Sequence, residues 1–275
     1  MRKSLSEGLG VLHALGEQVK RHGACSLPGV SIRFDRVVPL IERAMARGFV
    51  SRLHGDYVIN GLWHGFDLGI DMSCVHGKRR FRNYASAIEG RKFVSKATRA
   101  RVSDGKTVCL GYYDHDKDRH DLPWDKWRIF PVGAVPKPLE PDSMRPVSDH
   151  TRTGLKDATD MEIFRHSLTT YDDIAKWLRH GYFMRIGDVD GAFPLLPLAP
   201  HLWPLFLFHW WDIEVSDEDE AAPWCLYAHL TGDFGAAGLP GTWKIFFSDV
   251  MVGIARSENI LTRLTGLSML MTLVA

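Results

Sequence analysis

The most informative stretch of the chain is Arg185-Ile186-Gly187-Asp188-Val189-Asp190-Gly191-Ala192-Phe193. The apolar pattern of residues 182–189 predicts a short strand, with Asp188 at its end and Phe193 five residues further on. A carboxylate in this position suits Mg²⁺, which takes few protein ligands and keeps several waters. A flat side chain beside it is suited to contact the sugar of a nucleotide. The same residues also fit an ordinary Asp-x-Asp turn, so the flanking sequence must decide between the two interpretations.

Two basic residues precede this stretch in a predicted β-hairpin. Residues 129–135 and 144–148 have the composition of strands, and prolines bound the turn at 137–143. Lys137 and Arg145 would lie on facing strands. There the planar guanidinium and the lysine point charge are suited to grip a triphosphate.

A glycine-rich turn, residues 232–240, follows the central stretch and opens a predicted helix over 239–258. Glycine lets a backbone approach a substrate closely, and a helix N-terminus favours anions.

The remaining elements predict an α+β protein. Helices are expected at 35–47 with Asp35 as cap, from Asn83 to before Gly105, and at 170–180. Strands are expected at 203–211 and 224–230, paired as a hairpin. Residues 57–74 look irregular, and residues 111–125 look like a polar loop. We therefore divide the chain into a helical, basic part, 1–128, and a part that alternates strand and helix, 129–275.

Bulk composition limits the class of protein. The 275 residues are 45% hydrophobic and 24% charged, with a net charge of +1, as in ordinary globular proteins. No CxxC or Cys/His ligand spacing indicates zinc, and there is no signal peptide and no long uncharged apolar run. These features predict a soluble intracellular protein, in the cytoplasm or nucleus, with reduced thiols and no membrane partner.

The order of these motifs resembles the reverse transcriptases, especially the polymerase domains of DIRS-like and Ty3-like retroelements. The resemblance covers roughly residues 30–260. It implies RNA-directed DNA polymerase activity and a right-hand fold with fingers, a partial palm and no thumb. The 188–193 stretch is similar to the first palm motif, D-x-x-x-A-F. Asp188 would then be the catalytic ligand of Mg²⁺, and Phe193 the gate against a ribose 2′-hydroxyl.

The resemblance also implies a nucleotide site and a template–primer site. Lys137 and Arg145 take the positions that contact the phosphates of the incoming dNTP. The segment from Phe234 and Gly235 to Pro240 is similar to the motif that positions template, primer and nucleotide, with extra residues in its loop.

One element of the family pattern is missing. The Tyr-x-Asp-Asp motif should follow the helix at 239–258, yet no Asp or Glu occurs after Glu258. The resemblance therefore implies a chain truncated before this motif, inactive as encoded and a weak binder of Mg²⁺. Residues 268–273 can be back-translated so that another reading frame spells Tyr-Val-Asp-Asp-Leu. We hypothesise a frame-shifted copy, which the nucleotide sequence tests.

A cluster of positive charge predicts contact with an RNA or DNA template–primer. Residues 78–101 contain nine basic residues and one acidic residue, whereas residues 212–220 contain six acidic residues and no basic one. For the basic residues, the alternative interpretation is a plain solvated face. For the whole chain, the alternatives to a polymerase domain are a non-catalytic nucleic-acid-binding remnant and a truncated chain that does not fold stably. The residues that we expect to contact nucleic acid are Lys78, Arg79, Arg80, Arg91 and Lys92.

Overall fold

The computed structural model describes residues 4–118, 120–138, 140–162, 164, 189, 191–215, 219 and 221–260. They form a mixed helix-and-sheet protein, which confirms the α+β class. None of the helices in these ranges combines the length and apolar character needed to cross a bilayer. The helices are α1 (Leu5–His22), α2 (Phe34–Ala46), α3 (Arg52–His64), α4 (Ala85–Glu89), α5 (Arg91–Ser103), α6 (His115–Asp118), α7 (Leu239–Trp243) and α8 (Val252–Ser257), and the strands are β1 (Lys78–Arg80), β2 (Thr107–Tyr112), β3 (Trp127–Phe130), β4 (Val132–Lys137), β5 (Glu140–Ser148), β6 (Leu207–Trp211) and β7 (Trp224–His229).

The predicted helix at 35–47 is confirmed as α2, but its cap is not Asp35. Arg33 occupies the cap position and makes no side-chain capping bond, while Asp35 lies in the first turn. The irregular segment expected at 57–74 is confirmed for residues 65–74, which contain no helix or strand, but was wrong for residues 57–64, because α3 continues to His64. Its glycines are close-approach points: a Cβ on Gly55 would lie 2.1 Å from the sulfur of Met45.

A mixed sheet with the strand order β1-β3-β6-β7-β2 forms the centre of the described structure. β1, β3 and β6 are parallel, and β6, β7 and β2 are antiparallel. The predicted hairpin of residues 203–211 and 224–230 is confirmed as β6–β7. Its first strand begins only at Leu207, because Pro200–Leu205 is a 3₁₀ helix containing two prolines that cannot donate to a ladder. The loop expected at 111–125 contains the end of β2 and all of α6.

The sheet separates two apolar cores. The strands β2, β3, β6 and β7 each contribute to both of them, because successive side chains point to opposite faces of the sheet. Ile129, Leu207 and Leu226 belong to the larger apolar core with the N-terminal helices. Phe130, Phe208 and Tyr227 belong to a second core with α4 and α5. The boundary that we placed at residue 128 falls inside β3, and strands from both sides of it join in this one sheet.

The predicted basic hairpin is present as a separate two-stranded sheet, β4–β5, with different ends. Ile129 belongs to β3 instead, and β5 begins at Glu140. The single helix expected from Asn83 is broken at Gly90 into α4 and α5. A Cβ on Gly90 would lie 2.9 Å from the sulfur of Met144, so the absence of a side chain at Gly90 lets the hairpin approach closely.

The helix predicted at 239–258 is confirmed as one helical segment from Leu239 to Ser257. Its middle, Lys244–Met251, is π-helical. The guanidinium of Arg47 donates to the carbonyl oxygen of Ser257 at 2.6 Å, which ties α2 to the end of this segment. The predicted helix at 170–180 lies outside the described residues, as does the strand at 182–189 apart from Val189.

Candidate functional site

Three motifs that are far apart in sequence meet at one place. The rings of Phe193 and Phe234 lie 4.9 Å apart. A Cβ on Gly232 would lie 2.6 Å from the carbonyl oxygen of Phe193, and one on Gly235 would lie 2.2 Å from that of Ser148. The glycine-rich turn therefore contacts both the hairpin and the segment that follows Asp188.

Gly235 can adopt this arrangement only because it has no side chain. Its φ is +99°, in the region that disfavours L side chains, and its backbone touches the last residue of β5. Phe193 is buried and also packs edge-on to Trp243, with the ring centroids 6.4 Å apart. Phe234 remains substantially exposed at the surface of the cluster.

The polar centre of the site is Asp233, a buried carboxylate. Arg101 Nη1 donates to Asp233 Oδ1 at 3.2 Å, while His150 Nε2 and His229 Nε2 lie 3.3 and 3.4 Å from Oδ2. The Nδ1 atom of His229 lies 2.7 Å from the hydroxyl of Thr107. With Nε2 donating to the carboxylate, this Nδ1 accepts from the threonine. Asp233 thus joins α5, β7 and the segment after β5 to the glycine-rich turn.

Burial and the neighbouring charges set the protonation of this network. Burial alone would raise the pKa of Asp233, but the charge that His229 acquires when it is protonated at low pH, the charge of Arg101 and the imidazole hydrogen bonds hold this pKa well below its ordinary value. Burial and the nearby charge of Arg101 lower the pKa of His229 to about 4. At neutral pH the network is therefore an aspartate–arginine ion pair beside a neutral His229.

The hairpin places the two predicted phosphate-binding residues differently. Lys137 Nζ forms an ion pair with Glu140 at 3.0 Å within the hairpin. Arg145 faces Val135 across the ladder and lines a cavity next to the glycine-rich turn. Of the predicted nucleotide contacts, Arg145, Phe193 and Gly235 therefore lie around the same cluster.

This cavity has a volume of about 250 Å³. It lies between α5, the hairpin, the inner face of β3 and β6, and the glycine-rich turn. Its walls are mainly apolar, and Asp233 and His229 lie in its polar part. The lining residues include Val94, Ala97, Arg101, Phe130, Phe208 and Phe234.

Asp188, the predicted magnesium ligand, lies outside the described residues. Among those that are described, Asp233 is the carboxylate at the meeting point of the motifs, but two imidazoles and a guanidinium already contact its oxygens. The same residues contain no group of three or more His, Cys, Asp or Glu side chains able to hold a metal. The described side chains therefore do not fit a Mg²⁺ site.

Of the residues predicted to contact nucleic acid, three are exposed and two contact other groups of the protein. Lys78 and Arg79 are exposed on the edge strand β1. Arg80 is half-buried and donates to His209 Nδ1 at 3.3 Å. Arg91 lies over the ring of Trp211 at 4.2 Å and donates to the carbonyl oxygen of Asp219. Lys92 is exposed at the start of α5.

A further basic contact near β1 was missed from the sequence. The guanidinium of Arg152 lies 5.9 Å from the ring of Phe81 and 5.7 Å from that of Tyr84. We use the name "β1 surface" for the exposed Lys78, Arg79, Arg82 and Arg152.

Sequence reasoning also missed the Asp233 network. Asp233 stands inside the turn that the sequence singled out, but Arg101 and His150 are 132 and 83 residues away. Only the four-residue spacing of His229 and Asp233 is a local signal.

This geometry defines an α+β protein in which the hairpin, the glycine-rich turn and the segment that follows Asp188 form one cluster. Comparison with protein-family models and with curated proteins finds no match to the chain.

Proposed function

We propose that this chain is a reverse transcriptase-like polymerase domain of a retrotransposon, and that residues 1–275 by themselves are inactive. The family reaction is nucleotidyl transfer to a primer on an RNA or DNA template. The observation that supports this best is the contact of the three motifs: Phe234 on Phe193, and Gly235 on the hairpin at Ser148. The resemblance requires these motifs to share one site, although more than 80 residues separate Ser148 from Gly235. In this proposal the hairpin belongs to the fingers and the central sheet to the palm.

The nucleotide side of the site is formed by the hairpin. Arg145 borders the cluster, and its guanidinium can bind a phosphate through two parallel hydrogen bonds. Lys137 would have to exchange its exposed ion pair with Glu140 for a phosphate. Exposed pairs contribute only about 0–1 kcal/mol, so this exchange costs little.

In this proposal the β1 surface binds the nucleic acid. Its charges follow an edge strand, and the half-buried rings of Phe81 and Tyr84 lie beside Arg152. A basic surface with adjacent aromatic rings suits the backbone and bases of a single-stranded template.

Binding to a labelled primer–template over a range of salt concentrations tests this assignment. The double variant Lys78→Glu and Arg79→Glu should weaken binding and reduce the slope of log K against log salt by about 1 per lost phosphate contact. The matched control is Arg36→Glu with Arg52→Glu, which reverses two exposed charges on α2 and α3. An equal effect of the two double variants would contradict the β1 surface as the binding site.

Addition of dNTP separates the two candidate functions. A polymerase-like domain should hold primer–template more tightly with the complementary dNTP than with a mismatched one, and Lys137→Ala with Arg145→Ala should abolish that difference. A non-catalytic nucleic-acid-binding remnant would show salt-dependent binding with no such difference.

Because residues 1–275 carry Asp188 without a Tyr-x-Asp-Asp motif, we expect no nucleotide incorporation with Mg²⁺. Turnover that Asp188→Ala abolishes would overturn the inactive assignment.

A further inference from the structure

The cavity between α5 and the hairpin has a chemical character of its own. Phe130, Phe208 and Val94 form buried walls, and Phe234 stands at the exposed rim. Three of these residues belong to the second apolar core, so the cavity extends that core toward solvent.

The two opposite charges at the polar end of the cavity pair with each other. Arg101 and Asp233 neutralise each other, and burial keeps His229 uncharged at neutral pH. A charged ligand group at this end would have to lose its hydration against apolar walls, beside charges that already neutralise each other. This end of the cavity therefore favours an uncharged group, whereas the cation Arg145 lines the hairpin side.

Asp233 retains capacity for one more donor. A carboxylate has about four acceptor positions. Three are used by the nitrogen atoms of Arg101, His150 and His229. Since Asp233 also lines the cavity, a ligand carrying one N–H group can satisfy the fourth.

The volume sets the size of the ligand. An apolar cavity of about 150 Å³ is sufficient to bind benzene. At about 250 Å³, this cavity can hold a fused pair of aromatic rings. The aromatic walls offer such rings stacked or edge-on contacts.

We propose that this cavity is a binding site for an uncharged, one- or two-ring aromatic heterocycle with a ring N–H. The N–H donates to Asp233, and the rings pack against Phe130 and Phe208. This site is independent of the proposed polymerase function, because it needs neither phosphate recognition nor Asp188.

Indole is the probe, and its binding is measured by ligand-observed NMR and by the shift in unfolding temperature, without nucleotide or nucleic acid. We expect saturable binding that raises the unfolding temperature. We expect 1-methylindole, which has the same rings but no N–H, to bind at least tenfold more weakly. Absence of saturable indole binding, or equal binding of the two compounds, would overturn the proposal.

A substitution that fills the cavity, compared with a matched one outside it, tests whether the ligand binds there. Ala97 lines the cavity, whereas Ala100 lies exposed on the same helix. Ala97→Leu should abolish indole binding, and Ala100→Leu should leave it unchanged. If Ala97→Leu does not melt cooperatively, Val94→Leu fills the same space and should weaken binding at least tenfold. Indole binding that survives the folded filling variant would place the ligand elsewhere and overturn the assignment.

Discussion

Asp233 is the residue at which four segments of the chain meet. Its oxygens lie within 3.4 Å of nitrogen atoms from α5, from β7 and from the segment after β5. A buried ion pair contributes little compared with a well-packed apolar pair, but removal of one partner leaves the other charge buried and unpaired. The carboxylate is therefore more sensitive to substitution than any exposed acid of the described chain.

Asp233→Asn should lower the free energy of unfolding by about 3–5 kcal/mol, because Arg101 stays buried without a counter-charge. Denaturant unfolding measures the change. Asp35→Asn is the control, since the Arg33–Asp35 pair is solvent-exposed and should contribute less than about 1 kcal/mol. Similar losses in the two variants would show that the buried pair does not have the assigned importance.

At the scale of elements, the sequence predicted those parts of the fold whose signals are local. The hairpin β6–β7, helix α2 and the helical segment from Leu239 have strong periodicity or clear stop residues. Errors arose where tertiary contact overrides composition. Gly61 and its aromatic neighbours suggested an irregular segment, but in α3 Gly61 is the point where Phe66 packs. Gly90 interrupts the predicted helix, and because it has no side chain the hairpin can pack against it.

In the candidate site, too, features with a local sequence signal were predicted and features set by tertiary contacts were not. The glycine-rich turn and the hairpin were predictable, since turn residues and prolines mark them in the sequence. The partners of Asp233 were not, because imidazole and guanidinium groups on three distant segments meet only after the sheet has formed. No periodicity relates residues 101, 150 and 233.

Gly235→Ala should displace the glycine-rich turn from the hairpin. Its φ of +99° costs an L residue about 1–3 kcal/mol, and the added Cβ would lie 2.2 Å from the Ser148 carbonyl oxygen. We expect destabilisation of at least this size, with faster amide exchange in the turn and at the end of β5. Gly10→Ala in α1 is the control, since its Cβ meets nothing within 4 Å and should stabilise by about 0.5–1 kcal/mol. A neutral Gly235→Ala would contradict the close contact.

At the scale of the whole molecule, one sheet unites both cores, so protonation on either face acts on global unfolding. His229 lies in the Asp233 network, and His209 is held by Arg80 and by the carbonyl oxygen of Tyr113. Burial lowers the pKa of each imidazole to about 4, and the charge of Arg80 contributes at His209.

Stability should fall as the pH drops from about 6.5 toward 4. In that window the unfolded chain binds protons that the folded chain excludes, at about 1.4 kcal/mol per pH unit for each imidazole. Unfolding free energies measured between pH 7.5 and pH 5 test this. His209→Gln keeps one donor and one acceptor and should reduce the slope, because it removes one of the imidazoles whose pKa burial lowers. A stability independent of pH over this range would contradict the burial of neutral imidazoles.

The contact of α1 with β2 has a consequence for solubility. β2 is an edge strand with a bulge between Cys109 and Gly111, and Gly8 brings the helix backbone against the carbonyl of Leu110. Such an edge can pair with the same strand of another molecule. Because α1 packs against β2, it hinders edge-to-edge pairing between molecules. Any side chain at position 8 would push α1 away from β2 and expose this strand to such pairing.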